Sequence, residues 1–570
     1  MKSVETMTLS GENRTGQAVI LALVAMLLLA LAVRVWGISF GLPHRYHIDE
    51  PAYVLAALQL GQGNLKIAYP PLSPSLHQIL LLGLFAILFL VQMLTGRASS
   101  PAAFAQQYQI DPSAFYLLAR GLSAATSVVS IMLLFGLVRR LRGTTTALVS
   151  TLFLALCFID VRHAHFVEPY ALIALFCVAT CYAAIRYVSS DKVQWIAAAG
   201  LACGIAVGMR FTVFSLGLVP VLAVALHALR QRPEGRLDVS LLAHHLVLIT
   251  GALAAGMIIG TPSLLLNTSN TLSSSGTQAL LALTTEGFWG FQFTDWPTWR
   301  FYGTILDLAW GWPLLLAAAL GIVKAIRHHK DEDILMLAFP ATFAVLLLSA
   351  SAAASAFARY LVPLLPFLAF YAADGVVTVV GWLTRRQSLA IQRASLALVA
   401  GLLVILPATR IIQLNRLWTQ TDTRTLAKQW IEENIPVGTK IALQWYSPAL
   451  STLYDLEPDS QRVYDAHVLN PFDGDPTLYT LETYRADGFE YMVVSSFIYR
   501  LARVDPLENQ QRVDFYRSLD TDARLLAEFK PADDNQEIPF LFEEMWSPVV
   551  SLWQRDRPGP TIRIYEMPHD

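Results

Sequence analysis

Two adjacent carboxylates, Asp49 and Glu50, follow directly on the first long apolar run of the chain, in the stretch His47-Ile-Asp49-Glu50-Pro51. Anions at a membrane face are costly unless they act on something. An ionised carboxylate there can take the proton of an attacking hydroxyl, a general-base contribution of typically about 10²–10⁴-fold. Arginines stand at the ends of other apolar runs: Arg120 in Leu-Leu-Ala-Arg-Gly-Leu-Ser, Arg210 in Gly-Met-Arg-Phe-Thr and Arg359 in Arg-Tyr-Leu-Val-Pro. One arginine at a membrane edge often just snorkels. Several on the side of the acidic pair can hold an anion, because the planar guanidinium fork matches phosphate. A third cluster, Asp160, Arg162, His163, His165 and Glu168, shares one short loop. Its spacing matches no metal-ligand signature, so with His47 it reads as the polar rim of the site, and no metal or other cofactor is predicted.

The elements that must position these groups are membrane helices. The chain is 55% hydrophobic and 15% charged, with a mean hydropathy of +0.47, whereas soluble domains carry roughly 25% charged residues. A net charge of -2, with basic residues spread along the chain, indicates no nucleic-acid partner. Basic clusters at Arg139-Arg140-Leu-Arg142, Arg186 with Lys192, 230–236, 324–330 and 385–393 mark one side of the bilayer as cytoplasmic. The acidic pair, the 162–168 loop, Arg210, the stretch 262–300 and Arg359 then fall on the outer side.

About eleven spans follow: 18–38, 114–138, 144–159, 169–187, 193–209, 211–229, 240–261, 302–323, 334–354, 360–382 and 394–411. Residues 1–17 form a cytoplasmic tail, and the run after them has no cleavage site, so it reads as a retained helix. The segment 78–94 is apolar enough to cross. A crossing there would invert every later loop, so it reads as a helix in the outer interface. The outer loops are 39–113 and 262–301; Tyr69-Pro70-Pro71-Leu72 in the first sets the angle at which that helix begins. Cys157, Cys177, Cys181 and Cys203 all lie in apolar runs and read as free core thiols.

From 412 to 570 the composition is that of a soluble domain, placed outside the membrane. Thr423–Asn434 reads as an amphipathic helix ended by Pro436-Val-Gly438. Strands are expected at Lys440–Trp445, Tyr491–Ser495, Leu525–Phe529 and Thr561–Glu566. A small α/β domain with no visible chemistry of its own is the expectation, which leaves it either to bind or steer an acceptor or to give structural support.

The ordered motifs Asp49-Glu50, Tyr-Pro-Pro-Leu, Leu-Ala-Arg120-Gly-Leu-Ser, Arg162-His-Ala-His165-Phe-Val-Glu168-Pro, Gly-Met-Arg210-Phe-Thr and Arg359-Tyr-Leu-Val-Pro-Leu-Leu-Pro resemble glycosyltransferase family 39. This is the group of protein O-mannosyltransferases and aminoarabinose transferases within the GT-C superfamily. The resemblance covers 18–411 and implies a GT-C-like polytopic helical fold in the cell (inner) membrane. It implies transfer of a sugar, with inversion, from a polyprenyl-phosphate donor to a hydroxyl acceptor. Asp49 would be the general base with Glu50 beside it, and Arg359, Arg120 and Arg210 would hold the departing phosphate. Glu168 stands where many relatives have Asp. The trefoil-like insert of eukaryotic protein mannosyltransferases is missing, which suggests a bacterial enzyme and leaves lipid, glycan and protein acceptors open. A transporter or flippase of a lipid-linked or anionic substrate is the alternative, but such proteins show inverted repeats and charges near the bilayer midplane. A receptor would leave Asp49, Arg120 and Arg359 idle.

Overall fold

A long apolar run in lipid must satisfy its backbone polar groups within itself, and a helix does so. The computed structural model describes residues 2–67, 72–230, 239–269, 271, 273, 296–349, 356–450, 464–469, 476–502, 510–533 and 538–568. Tyr69-Pro70-Pro71 and most of the 262–301 loop lie outside the described residues. The helices are α1 (Lys2–Val35), α2 (Glu50–Gly61), α3 (Leu76–Leu94), α4 (Pro101–Ile110), α5 (Ser113–Ala155), α6 (Phe158–Ala164), α7 (Tyr170–Ser190), α8 (Val193–Met209), α9 (Leu218–Arg230) and α10 (Val239–Gly260). They continue with α11 (Ser263–Leu266), α12 (Thr298–Trp310), α13 (Trp312–His328), α14 (Asp331–Ser349), α15 (Leu365–Leu383), α16 (Leu389–Leu403) and α17 (Ile405–Trp418).

Among the described residues eight helices are long and apolar enough to cross a membrane, or up to ten if each bent pair is one span. Eleven were expected; three features lower that count, and α3, expected in the interface, adds one to it. The expected spans 114–138 and 144–159 are one helical stretch broken at Gly143, which sits at φ 84. Val193–Met209 is a short apolar helix. The expected spans 302–323 and 394–411 fall in broken pairs, bent by 103° at Gly311 and by 42° at Val404. Helix α3 meets the length and composition of a span, and its Leu81 and Phe85 pack on Phe115 and Tyr116 of α5.

Close backbone approach fixes the bundle. A Cβ on Gly204 would lie 2.1 Å from the Leu253 carbonyl oxygen, so α8 and α10 meet where only glycine fits. Gly375 is in the same position against Ala317, at 2.0 Å, between α15 and α13. At the end of the bundle remote from the acidic pair, Arg142 pairs with Asp333 and Asp374, and Lys324 reaches Asp374 at 2.8 Å. Arg120 and Arg142 lie 22 residues apart on one helix, about 33 Å at 1.5 Å per residue, so the two charge clusters belong to opposite ends.

Helix α17 runs through the expected domain boundary at 411–412 and leads into α18 (Thr423–Asn434). The strands are β1 (Lys440–Gln444), β2 (Asp465–Leu469), β3 (Tyr491–Ser495), β4 (Arg524–Phe529) and β5 (Ile562–Glu566), in the order β2-β1-β3-β5-β4. β1 is parallel to β2 and β3, and β5 is antiparallel to β3 and β4. Alternate residues bury opposite faces. Ile441, Leu443, Val493 and Ile564 pack on Ala427 and Ile431 of α18, and Ala442, Met492 and Val494 face Phe515 and Leu519.

Candidate active site

Asp49 occupies the N-cap of α2, yet its carboxylate caps nothing. Its Oδ2 instead accepts from Arg359 Nη1 and, at 2.7 Å, from the indole Nε1 of Trp546. A chain of contacts continues from there. Arg359 Nη1 also reaches Glu168 Oε1 at 3.4 Å, and Glu168 Oε2 lies 3.1 Å from His163 Nδ1. His163 Nε2 is 3.2 Å from Arg162 Nη1, which donates to Glu543 Oε1 at 2.7 Å. An arginine only donates, so His163 Nε2 must accept and Nδ1 must carry the proton toward Glu168. Glu543 and Trp546 sit one turn apart, which closes the chain into a ring: Trp546, Asp49, Arg359, Glu168, His163, Arg162, Glu543.

Two arginines here keep donors in reserve. Arg359 is the second residue of the short 3-10 segment Ala358–Leu364, stacks 4.3 Å from the Phe357 ring centroid, and its buried Nε has no partner among the described residues. Arg210 follows the last residue of α8 in extended conformation. Among the described residues it meets no carboxylate, only the Tyr360 hydroxyl at 3.4 Å and the faces of Tyr170 and Tyr360, each at 5.8 Å. Its buried Nε and the Tyr170 hydroxyl have no partner among the described residues. A half-buried cation with no counter-ion among the described residues is costly, so the arrangement is suited to an incoming anion.

Electrostatics separates the carboxyl groups. Burial, the largest single influence, disfavours the Asp49 anion, but Arg359, His47 and the Trp546 donor together outweigh it and hold the carboxyl below the ordinary range. Glu50 is also lowered: burial, the largest single influence, is overcome by Arg120 together with His47 and the Val167 N–H. Burial wins at Glu168, which is raised despite Arg359. The same burial pushes His163 down to about 3 and lowers His47 in spite of Glu50, Glu168 and Asp49, so both rings are neutral at pH 7. His47 Nδ1 accepts the Asp49 backbone N–H at 3.3 Å.

Asp49, Glu168, Arg359 and Arg210 therefore converge as their types suggested, with His47 alongside. Other residues are placed differently. Glu50 is fully buried: Oε1 accepts from Arg120 Nε at 2.8 Å and from the Val167 N–H at 3.0 Å, and Oε2 accepts from Arg120 Nη2 at 2.6 Å. Arg120 spends its remaining hydrogen-bonding capacity on the Ile38 and Phe40 carbonyls, at 2.7 and 2.9 Å. This pair locks the 38–50 loop to α5, leaving neither side chain exposed to a substrate. Arg162 is buried against the C-terminal domain, and His165 turns to the Val161 and Trp36 carbonyls, at 2.8 and 3.1 Å, below the rim rather than on it. Among the described residues no group of three His, Cys, Asp or Glu side chains is placed to hold a metal ion. The C-terminal domain, whose sequence shows no chemical motif, supplies Trp546 and Glu543. A tryptophan in a soluble segment gives no local sequence signal of contact with an aspartate 497 positions earlier.

Residues 117–257 match the family model described as dolichyl-phosphate-mannose-protein mannosyltransferase. No curated protein matches the chain by sequence. In solved structures the chain is similar to the Archaeoglobus fulgidus oligosaccharyltransferase in complex with Zn and sulfate, at 13% identity over 96% of this chain and 88% of that one, with a TM-score of 0.48. It is also similar to ArnT from Cupriavidus metallidurans in the apo state, at 13% identity over 97% and 98% of the two chains, with a TM-score of 0.47. The arabinofuranosyltransferase AftD from Mycobacteria aligns at 13% identity over 97% and 40%, with a TM-score of 0.43.

Proposed function

We propose that the protein is a glycosyltransferase that moves a sugar from a polyprenyl-phosphate donor to a hydroxyl acceptor, with inversion. The observation that carries this reading is the pairing of a carboxylate, Asp49, with two arginines that hold donors in reserve, Arg359 and Arg210, at one end of an apolar helical bundle. The mannosyltransferase family match over 117–257 supports it. In the reaction, the acceptor oxygen bonds to the anomeric carbon as the bond from that carbon to the phosphate oxygen breaks. The bonding pair leaves with the phosphate, and the hydroxyl proton passes to Asp49. Charge that gathers on the phosphate as the bond breaks is met by guanidiniums already drawn to the bound donor, so none has to move in the step itself. Arg210 is the main anchor of that phosphate and Arg359 the second. Arg120, saturated by Glu50, is a positioning residue, and Glu50 holds the loop that presents Asp49.

The site opens on the extracytoplasmic face of the cell membrane, with the N-terminus cytoplasmic and the C-terminal domain outside, an arrangement that needs an odd number of crossings: the ten by length and composition, with the short Val193–Met209 added, the stretch broken at Gly143 counted twice and α3 kept in the outer interface. The bilayer delivers the lipid donor to the ends of the helices. A transporter or flippase would carry its charged groups near the midplane, whereas these residues gather at helix ends beneath the C-terminal domain.

The test is incubation of purified protein with a panel of polyprenyl-phosphate sugars and candidate hydroxyl acceptors. Release of polyprenyl phosphate with one of them is expected. Release by none of them, with translocation of the lipid-linked sugar in proteoliposomes, would make the protein a flippase. Arg210→Ala should weaken binding of undecaprenyl phosphate by about 10-fold or more, since a charged hydrogen-bonded contact contributes on that order. Unchanged affinity would place the phosphate elsewhere.

A further inference from the structure

We infer that Trp546, contributed by the C-terminal domain, is a positioning residue that holds the Asp49 carboxylate in place when the lipid phosphate draws Arg359 away. This rests on the transferase reading above and adds a role for a residue of the soluble domain.

Arg359 Nη1 and Trp546 Nε1 both donate to Asp49 Oδ2, and no described residue takes Oδ1. The two donors differ in what a phosphate does to them. A guanidinium is drawn to an incoming phosphate, with which it forms paired charge-assisted hydrogen bonds. An indole N–H is neutral and donates only. Once phosphate competes for Arg359, the carboxylate keeps one fixed partner on Oδ2 and presents Oδ1 to the acceptor hydroxyl. Without the indole it would be free to rotate or to follow the arginine.

The indole is rigidly mounted. Its ring packs edge-on to Phe357, 5.3 Å away, and to Phe542, 4.9 Å away. Glu543 ties the same turn to the membrane region: it accepts from Arg162 and, through Oε2, from the N–H of Ala358 at 3.1 Å, next to Arg359. Arg162 Nη2 also donates to the Ser547 carbonyl at 3.0 Å. Behind the turn, buried Glu544 accepts from the N–H groups of Val549, Val550 and Ser551 at 2.8, 2.7 and 3.1 Å. One short segment thus fixes both partners of Asp49, the tryptophan directly and the arginine through its backbone neighbour.

Trp546→Phe keeps an aromatic ring in the Phe357, Phe542 and Arg359 contacts and removes the donor. Turnover, read as polyprenyl phosphate released from the active donor of the panel, should fall about 10- to 100-fold in kcat, the loss of one hydrogen bond to a charged group. Affinity for undecaprenyl phosphate should stay within about threefold, because Arg210 is untouched and phenylalanine keeps an aromatic face toward Arg359. The acidic limb of the kcat profile should move to higher pH, since the anion loses a stabilising donor. The other groups around Asp49 are His47, Glu50 with Arg120, Tyr53, Glu168 and Arg359, and all stay in place in this variant. A purely structural role would lower affinity and thermal stability together and leave the limb where it was. That result would overturn the inference, as would full turnover.

An activity-independent readout separates this inference from the transferase reading. In protein labelled with 5-fluorotryptophan, the fluorine resonance assigned to Trp546 by its loss in Trp546→Phe should shift in Asp49→Asn and again on addition of undecaprenyl phosphate. A resonance unmoved by both contradicts the hydrogen bond. If the fluorine signals shift but no donor in the panel is turned over, the hydrogen bond stands and the transferase reading fails.

Discussion

Asp49 and Glu50 are adjacent in sequence and differently placed, because they start a helix from which one side chain reaches Arg359 and Trp546 and the other turns into the bundle onto Arg120. Residue type made the pair conspicuous; it could not say which carboxylate is spent on an arginine inside the protein. The same limit applies to the cations. A sequence shows Arg120, Arg210 and Arg359 each at the end of an apolar run, but only the fold shows that Arg120 is consumed by Glu50 while Arg210 faces tyrosines. The Glu50–Arg120 pair has a consequence for stability rather than chemistry. Removing one partner of a buried pair leaves the other charge unpaired, which costs about 3–5 kcal/mol. Glu50→Gln should therefore lower the thermal midpoint by several degrees, whereas Asp49→Asn should change it little; the reverse order in a melting experiment would refute the assignment. The sign with pH follows from the depressed Glu50 carboxyl. Its contribution is fully present above the unfolded value of about 4.3 and is lost as pH falls through the lower folded value, so this pair does not weaken between pH 5 and 8.

At the scale of elements, apolar run length identified most membrane helices, and the soluble strands at 440–444, 491–495, 524–529 and 562–566 follow from alternation of apolar and polar positions. β2 escaped notice because Asp465–Leu469 is an edge strand with little buried surface. The broken helices escaped because hydropathy counts residues and is blind to a bend at Gly311. Glycine spacing on α8 has a functional extension, since this helix ends at Arg210. Gly204→Val would push a side chain into the α10 backbone, at Leu253 and Gly256, an overpacking cost of typically about 1–3 kcal/mol. Both the thermal midpoint and the affinity for undecaprenyl phosphate should fall. A drop in stability with unchanged affinity would show that α8 does not set the position of Arg210.

For the whole molecule, the C-terminal domain is a wall of the site, held there by Arg162–Glu543 and Trp546–Asp49. Such long-range contacts carry no local signature, which is why the composition of 412–570 suggested a separate body without chemistry. Sidedness remains readable from the distribution of Lys and Arg. A cysteine at exposed Ser189 should be shielded from a membrane-impermeant thiol reagent in intact cells, and one at exposed Val437 should react, while the four buried native cysteines stay silent. Labelling in the opposite sense would invert the topology and put the site on the cytoplasmic face. The central claim, that Asp49 takes the acceptor's proton beside a lipid phosphate held by Arg210 and Arg359, is tested most directly by Asp49→Asn in the donor-release assay. The amide keeps the shape of the carboxylate and lacks its basicity, so turnover should fall by roughly 10²-fold or more while undecaprenyl phosphate still binds. Full turnover in Asp49→Asn would contradict the account.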